Sequence, residues 1–300
     1  MAEHGLTDAV CGIAFDGTGY GVDGAIWGGE VLLANRQAFE RFANFAYVPM
    51  PGGAAAIKHP LRMAYGVLWA YDLLEHPAAA AALAPLGDEA EVCDTMIERG
   101  LNTPMTSSVG RLFDAASALL GICTEPSYEG EGAILLEAAM ETAGADVAGA
   151  AAVEEAAGVA GEDELAAKER YAVIVEKNTA TETSTAQDTS VLLLDAAPVF
   201  KALLDDRAAG VPVGVIARRF HDAFVQAIAD VAELCRALYG IGTVALSGGV
   251  FMNRYLIEHA LEALERAGFT VAVNRELPPN DGCVSYGQAV VAWAANDEKA

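Results

Sequence analysis

The sequence predicts an α/β fold, and three observations carry that prediction. Residues 11–34 alternate short apolar runs with Asp/Gly turns, which is typical of a β-meander. Residues 244–291 follow the order strand, Gly-Gly turn, helix, strand, turn, helix. Between them, residues 208–239 contain a long amphipathic helix, because apolar residues recur there at helical spacing.

The meander at 11–34 divides into three strand-like pieces at 12–15, 25–27 and 31–33. One predicted hairpin tip carries an acid, a hydroxyl and two glycines: Asp16, Gly17, Thr18 and Gly19. Such a tip can surround a phosphate with backbone N–H groups. The alternative is an ordinary turn, because turns favour Asp and Gly.

Two insertions interrupt the predicted sheet elements. Residues 37–105 predict a helical insertion, after which a hydroxyl-capped helix starts at 107–108 and carries Arg111 and Asp114. These two side chains are three residues apart on one helical face, so an ion pair alone would explain them. Residues 143–190 are rich in Ala, Gly, Glu and Thr and poor in aromatics, which predicts a helical or mobile insertion.

An αβ core is predicted over residues 191–295. Its long helix contains His221, and a lone histidine on such a helix is more often a packing residue than a catalyst. A buried strand at 244–246 precedes the glycine pair Gly248 and Gly249, and a helix at 253–267 ends at Gly268. A second strand, a turn at 278–282 and a last helix complete the core.

The glycine pair and the turn after it suggest a ligand site. Paired glycines let a backbone approach a ligand closely, and the following helix offers free N–H groups to an anion. Asp281 would face the same crevice, where a carboxylate can hold a hard cation. The alternative is a plain αβ unit with a solvated aspartate, since one glycine pair is weak evidence.

Charge and composition exclude several classes of partner. The 300 residues carry a formal net charge of −24, which argues against binding nucleic acid or an anionic membrane. The sequence shows neither a membrane-spanning run nor a signal peptide. Five scattered cysteines without a CxxC pair suit a reducing compartment, so a cytoplasmic location is expected. A nucleotide remains possible, because a small ligand needs only local donors.

Six motifs occur in the order seen in HypF-type carbamoyltransferases, which mature NiFe hydrogenases: DGTGYGVDGAIWGGE, TSSVGRLFDAASALLG, SYEGEGA, FH, LSGGVFMNR, and PPNDG followed by GQA. The resemblance runs from about residue 11 to 293, except for the second insertion. The last domain of that family is similar to the TsaD-type subunit that modifies tRNA, and both resemble the actin–sugar kinase–Hsp70 ATPases. The resemblance therefore implies one TsaD-like domain over residues 1–300, mainly its second, ribonuclease-H-like lobe with helical insertions.

The resemblance also implies a reaction. In the family, carbamoyl phosphate and ATP yield carbamoyl-adenylate, and the carbamoyl group passes to the C-terminal cysteine of HypE on its way to a cyanide ligand. The expected cofactors are ATP or carbamoyl-adenylate and a divalent metal (Mg, Fe or Zn). The expected partners are HypE and the upstream HypF domains, with no nucleic acid and no membrane.

The family motifs assign roles to particular positions. The phosphate hairpin matches Asp16, Gly17, Thr18 and Gly19, and the nucleotide turn matches Gly248, Gly249 and Asn253. Asp114 matches an acid that faces the ribose, Glu131 or Glu137 would supply a second ribose-side carboxylate, and Asp281 matches a metal ligand. No catalytic residue is assigned, because the attacking thiolate would come from HypE.

One departure from the family pattern limits the expected activity. The family holds its metal with a His-x-x-x-His pair as well, and none of the five histidines here has that spacing. The chain then matches a family member truncated at its N-terminus, and it is expected to be inactive alone. Two alternatives stay open: an O-carbamoyltransferase or tRNA-modifying TsaD-type relative, and a non-enzymatic lobe that docks a partner.

Overall fold

The computed structural model describes residues 1–145, 171–178 and 192–297, and within them nine strands form one sheet. The strands are β1 (Val10–Tyr20), β2 (Ile26–Ala34), β3 (Phe39–Phe45), β4 (Val48–Pro49), β5 (Met105–Thr106), β6 (Ile174–Lys177), β7 (Leu192–Asp195), β8 (Thr243–Ser247) and β9 (Thr270–Val273). Their order is β6-β7-β3-β2-β1-β8-β9, and β5 pairs with β2 and β4. The predicted α/β class is confirmed.

Ten α-helices accompany this sheet in the described part of the chain. They are α1 (Ala54–Lys58), α2 (Pro60–Ala70), α3 (Pro77–Leu83), α4 (Glu89–Glu98), α5 (Val109–Leu119), α6 (Glu131–Ala145), α7 (Ala197–Ala208), α8 (Val213–Tyr239), α9 (Arg254–Arg266) and α10 (Val284–Asp297). Short 3-10 turns at Gly249–Met252 and Asp281–Cys283 precede α9 and α10.

Strand β1 is the centre of the sheet, antiparallel to β2 and parallel to β8. Its alternate side chains Cys11, Ile13 and Phe15 are fully buried, whereas Gly12 and Ala14 on the other face are only partly buried. The core therefore lies on one face of β1. An aromatic cluster fills it, with ring centroids 4.9–5.7 Å apart, formed by Phe15 and Phe45 of the sheet, Phe113 of α5, and Phe220 and Phe224 of α8.

The meander differs from its prediction first in that residues 26–34 form a single strand. The sequence suggests a turn at Gly28 and Gly29, but these glycines lie within β2. A Cβ on Gly28 would lie 2.4 Å from the Asp16 carbonyl oxygen, and one on Gly29 would lie 2.2 Å from the Ser107 carbonyl oxygen. The glycines therefore permit close backbone approach within a strand and do not reverse the chain.

The helical prediction for residues 37–49 was wrong, because residues 39–45 form the third strand of the meander. The register between β2 and β3 shifts so that Phe42 is an extra residue on β3. Such a bulge interrupts the alternation of side chains. Phe42 and Phe45 consequently both contact α8, through Tyr239 and Phe224, at a three-residue spacing that a helix would also show.

The second insertion is described only in part. Residues 146–170 and 179–190 lie outside the described residues, whereas residues 174–177 form strand β6, which pairs with β7. That short stretch therefore belongs to the sheet. The remaining core elements match the expected order, and α9 ends before Gly268, whose φ of +80° favours glycine.

Candidate functional site

The four residues predicted at a hairpin tip lie instead inside β1. The turn between β1 and β2 is made by residues 21–25, where Gly21 N–H donates to the Ala25 carbonyl oxygen at 3.1 Å. Asp16, Gly17 and Thr18 occupy the stretch where the β1–β2 register shifts, between Phe15 and Gly19. The motif is therefore a bulge beside the strand end of β8, and Thr18 is exposed.

The bulge and the predicted glycine turn meet. Parallel pairing of β1 with β8 ends at Ala14 opposite Ser247, so both motifs emerge at the carboxyl ends of neighbouring strands. The Asp16 carboxylate Oδ1 accepts hydrogen bonds from Gly17 N–H at 2.8 Å and from Gly249 N–H at 3.2 Å. Two backbone donors from separate motifs thus converge on one negatively charged group.

Gly248 requires the absence of a side chain. Its φ is +105°, and a Cβ there would lie 2.1 Å from the Phe15 carbonyl oxygen. Its N–H donates to the Pro279 carbonyl oxygen at 2.8 Å. The glycine turn therefore holds the loop that precedes α10 against the end of β1.

Asp281 lies in that loop and is exposed. The neighbouring Asn280 caps the 3-10 turn by accepting from Gly282 N–H at 3.0 Å. Among the residues that the structure describes, no group of three His, Cys, Asp or Glu side chains could hold a metal ion. These residues do not form a metal site by themselves, so the metal-ligand role of Asp281 stays a prediction.

Helix α5 is attached directly beneath the bulge. The Ser108 hydroxyl donates to the carbonyl oxygens of Asp16 and Gly17, at 2.7 and 2.8 Å, and accepts from Arg111 N–H as the helix N-cap. A Cβ on Gly110 would lie 2.8 Å from the Gly17 Cα. The bulge therefore rests on the first turn of α5.

A buried ion pair follows on the same helix. Arg111 Nη2 lies 3.1 Å from Asp114 Oδ2 and 3.4 Å from Glu129 Oε1, and the Arg111 side chain is 2 % exposed. Nε and Nη1 of Arg111 have no hydrogen-bond partner among the described residues. Burial raises the pKa of Asp114 to about 6, although Arg111 opposes that rise. The pair suggested by the sequence is confirmed, and it lies next to Gly17.

The carboxylates of the SYEGEGA segment have separate positions. Glu131 accepts from the Ser127 hydroxyl at 2.9 Å and stabilises its own loop. Glu137 accepts from Tyr255 N–H at 2.9 Å, at the start of α9. Glu129, which sequence analysis missed, is the one that reaches Arg111. The sequence alone does not show which glutamate contacts Arg111, because that depends on how the loop crosses α5.

Asn253 connects the glycine turn to a buried histidine. Its side-chain oxygen caps α9 by accepting from Leu256 N–H at 2.8 Å, and its amide donates to His221 Nε2 at 2.9 Å. The other ring nitrogen, Nδ1, donates to the Ala217 carbonyl oxygen at 2.7 Å. Burial lowers the pKa of His221 to about 4, so the ring is neutral. The packing role predicted for His221 is confirmed.

A second buried network lies next to the bulge, and no sequence pattern predicts it. The Glu30 carboxylate accepts from Gly28 N–H, Gly29 N–H and the Ser107 hydroxyl, at 2.5–2.8 Å, and pairs with Arg41 at 2.9 Å. Burial raises the pKa of Glu30. Because Ser107 precedes the N-cap of α5, this network fixes the start of that helix.

Comparison with known proteins identifies the family. Residues 12–288 match the family described as "Carbamoyltransferase, Kae1-like Domain, second subdomain". The chain belongs to this family. The HypF carbamoyltransferase of Synechocystis sp. is 33% identical over 304 residues, which cover 96% of this chain and 35% of that relative. A HypF homolog from Cupriavidus necator is 32% identical, covering 97% of this chain and 67% of that relative.

Solved structures agree with this assignment. Full-length HypF in a phosphate- and nucleotide-bound form matches with a TM-score of 0.82 and 34% identity, covering 99% of this chain and 34% of that one. HypF of T. kodakarensis matches with a TM-score of 0.76 and 30% identity, covering 99% and 35%. The chain thus spans about a third of the length of most of these relatives.

Two further observations concern membrane-spanning helices and the state of the cysteines. None of the helices in the described ranges has the length and apolar character needed to cross a membrane. All five cysteines are free thiols, four of them buried.

Proposed function

We propose that this chain is the nucleotide-facing part of a HypF-type carbamoyltransferase active in the cytoplasm. In this proposal the complete enzyme makes carbamoyl-adenylate from carbamoyl phosphate and ATP. It then transfers the carbamoyl group to the C-terminal cysteine of HypE, which leads to the cyanide ligand of NiFe hydrogenase. Family membership and the nucleotide-bound HypF relative support the proposal.

One observation carries the proposed nucleotide contact. The N–H groups of Gly17 and Gly249 converge on the Asp16 carboxylate, at the carboxyl ends of two parallel strands. A phosphate oxygen presents the same acceptor chemistry as that carboxylate oxygen. We infer that a phosphate takes these two donors when Asp16 turns away.

The acyl transfer step requires stabilised negative charge. Attack of the HypE thiolate on the carbamoyl carbon moves charge onto the carbamoyl oxygen, and AMP leaves with the electron pair of the broken C–O bond. Backbone N–H groups that hold the phosphate keep the leaving group in place and favour its charge. The thiolate belongs to HypE, so this chain contributes binding and orientation. We expect no transfer by the chain alone, because the nucleotide contacts described here come from one side only.

Thermal unfolding with and without millimolar ATP and Mg²⁺ tests the nucleotide contact. A ligand at about 100 times its Kd stabilises the folded state by roughly 2.7 kcal/mol, so the midpoint should rise. Gly249→Ala should abolish the rise, because its Cβ would lie 3.0 Å from the position of Asp16 Oδ1, which the phosphate oxygen takes in this proposal. Gly242→Ala is the matched control, since nothing lies within 4 Å of its Cβ.

Three outcomes decide the proposal. A rise in wild type and Gly242→Ala that is lost in Gly249→Ala supports it, and an unchanged rise in Gly249→Ala contradicts it. No rise in any of the three contradicts nucleotide binding by this chain. Asp281→Ala, measured alongside, should reduce the rise only if Asp281 binds the cation that accompanies ATP.

A further inference from the structure

The ladder between β1 and β2 is interrupted at the bulge of the candidate site. Residues 16–18 of β1 lie opposite Gly28 of β2 alone, because the residue pairs on the two sides of the bulge differ in register. Over this stretch the two strands do not form a regular ladder, so their backbone donors and acceptors need other partners. Those partners determine whether the bulge keeps its shape.

The acceptors of the bulge are bound by helix α5. In a regular antiparallel ladder, strand carbonyl groups accept from the N–H groups of the neighbouring strand. Here the Ser108 hydroxyl lies 2.7 Å from the Asp16 carbonyl oxygen and 2.8 Å from the Gly17 carbonyl oxygen. The N–H groups of β2 next to the bulge therefore need an acceptor other than these two carbonyls.

The Glu30 carboxylate supplies that acceptor. Its Oε2 accepts from Gly28 N–H at 2.6 Å and from Gly29 N–H at 2.8 Å. Its Oε1 accepts from the Ser107 hydroxyl at 2.5 Å, and the side chain is 4% exposed. One buried carboxylate thus binds β2 through one oxygen and the residue before the N-cap of α5 through the other.

The simpler explanation of Glu30 is that it balances the buried charge of Arg41. Arg41 Nη2 pairs with Glu30 Oε1 at 2.9 Å, and Arg41 Nη1 pairs with Asp23 Oδ2 at 3.2 Å. The ion pair therefore uses Oε1, whereas the two glycine N–H groups of β2 use Oε2. Because the two roles use different oxygens, substitutions can separate them.

We infer that Glu30 is a positioning residue for the nucleotide contact: its carboxylate replaces the strand partner that the bulge removes, and so keeps the Gly17 N–H in place for a phosphate oxygen. Glu30 acts through Gly28, since a Cβ on Gly28 would lie 2.4 Å from the Asp16 carbonyl oxygen and its backbone thus lies against the bulge. The inference rests on the proposed function for the ligand, and on the contacts of Glu30 for the positioning.

The test measures the Kd for ATP with Mg²⁺ by isothermal titration on wild type and three variants. Glu30→Gln keeps an oxygen that accepts from the two glycine N–H groups but loses the charge. The double variant Glu30→Met with Arg41→Met removes the acceptor, and neither buried charge is left without the other. Arg41→Met is the matched control, because it removes the ion pair and leaves the carboxylate.

The affinity should follow the acceptor and not the stability. The Kd should rise about tenfold or more in the double variant, because the bulge loses its geometry, and should change little in Glu30→Gln and Arg41→Met. The thermal midpoint should fall in all three variants, since each lacks the ion pair. A rise in Kd for Arg41→Met or Glu30→Gln as large as that of the double variant would make Glu30 a purely structural residue and overturn the inference.

A second measurement separates this inference from the proposed function. Amide hydrogen exchange of Gly28 and Gly29, followed by NMR without ligand, should be about tenfold faster or more in the double variant and unchanged in Arg41→Met. Absence of ATP binding by wild type contradicts the proposed function, and the exchange rates then decide whether Glu30 holds the bulge. Unchanged exchange in the double variant overturns the inference whatever the titration shows.

Glu30→Asp replaces the double variant if that protein does not fold. It keeps the charge, but its carboxylate is one methylene too short to reach both glycine N–H groups from the same backbone position. The Kd and the exchange rates should therefore shift in the same direction as in the double variant. Wild-type values of both in a folded Glu30→Asp overturn the inference.

Discussion

Helices α5 and α10 are similar in length and both are rich in small and apolar residues, yet their surroundings are opposite. All 11 residues of α5 are buried, including the charged pair Arg111 and Asp114. In α10, which carries no charge before Asp297, nearly every described residue is exposed. The charged helix is inside, and the uncharged one is outside.

The difference shows that a helix is buried by its neighbours and not by its own hydropathy. Helix α5 packs against β1, α2 and α6, and its first turn supports the Asp16 bulge. Its ion pair is tolerated there because the two charges neutralise each other. Helix α10 contacts mainly the short turn before it. The exposure of its apolar side chains follows from the small number of described elements that pack against it.

The largest expected effect comes from breaking the buried pair of α5. Arg111→Met removes the counter-charge of Asp114 and should lower the free energy of unfolding by about 3 kcal/mol or more, measured by urea denaturation at pH 8. Adding Asp114→Leu should recover much of that loss. Arg254→Met breaks an exposed pair with Glu258 and should cost less than about 1 kcal/mol. Equal effects of the two single variants would mean that the Arg111 pair is not buried as described.

The second effect is a pH dependence of the free energy of unfolding that arises from Asp114 of α5. Because the pKa of Asp114 is raised to about 6, the folded protein binds its proton more tightly than the unfolded chain does. Stability from this group is fully present below the unfolded pKa and is lost as pH rises through about 6. Relative to Asp114→Asn, wild type should gain about 2 kcal/mol of unfolding free energy between pH 7 and pH 4.5.

His221 has the opposite pH dependence, since its depressed pKa of about 4 costs stability as pH falls below the unfolded value. His221 is present in both wild type and Asp114→Asn, so its contribution cancels when the two pH profiles are subtracted. The charged groups that face Asp114 are Arg111 and Glu129, and both are retained. Parallel pH profiles of wild type and Asp114→Asn would show that the buried carboxyl has an ordinary pKa.

The last pair of effects should differ in sign between the two helices. Gly110→Ala in α5 places a Cβ 2.8 Å from the Gly17 Cα and should destabilise by about 1–3 kcal/mol. Gly287→Ala in α10 meets nothing within 4 Å and should stabilise by about 0.5–1 kcal/mol through helix propensity. Thermal unfolding of both variants measures these two changes in stability. A destabilised Gly287→Ala would mean that α10 is already packed in the isolated chain.

Much of the site could be predicted from the sequence, because its residues lie in contiguous motifs. The Gly-Gly turn, the Asn253-capped helix and the Arg111–Asp114 pair follow from local spacing, and the structure contains each of them. The Asp16 motif was found but placed at a hairpin tip, since Asp and Gly also favour turns. Glu129 and the Glu30–Arg41 network were missed, because they depend on segments that are distant in the chain.

The sequence by itself determined the α/β class, the family and most of the helix ends, since these follow from short-range pattern, glycine conformation and capping. The tertiary structure alone decided that residues 39–45 form a strand, because a bulge removed the alternation that identifies one. It also decided that Asp16 meets Gly249, which are 233 residues apart and adjacent only through the pairing of β1 with β8. Whether a residue is buried depends on the elements that pack against it, and the fold determines which elements those are.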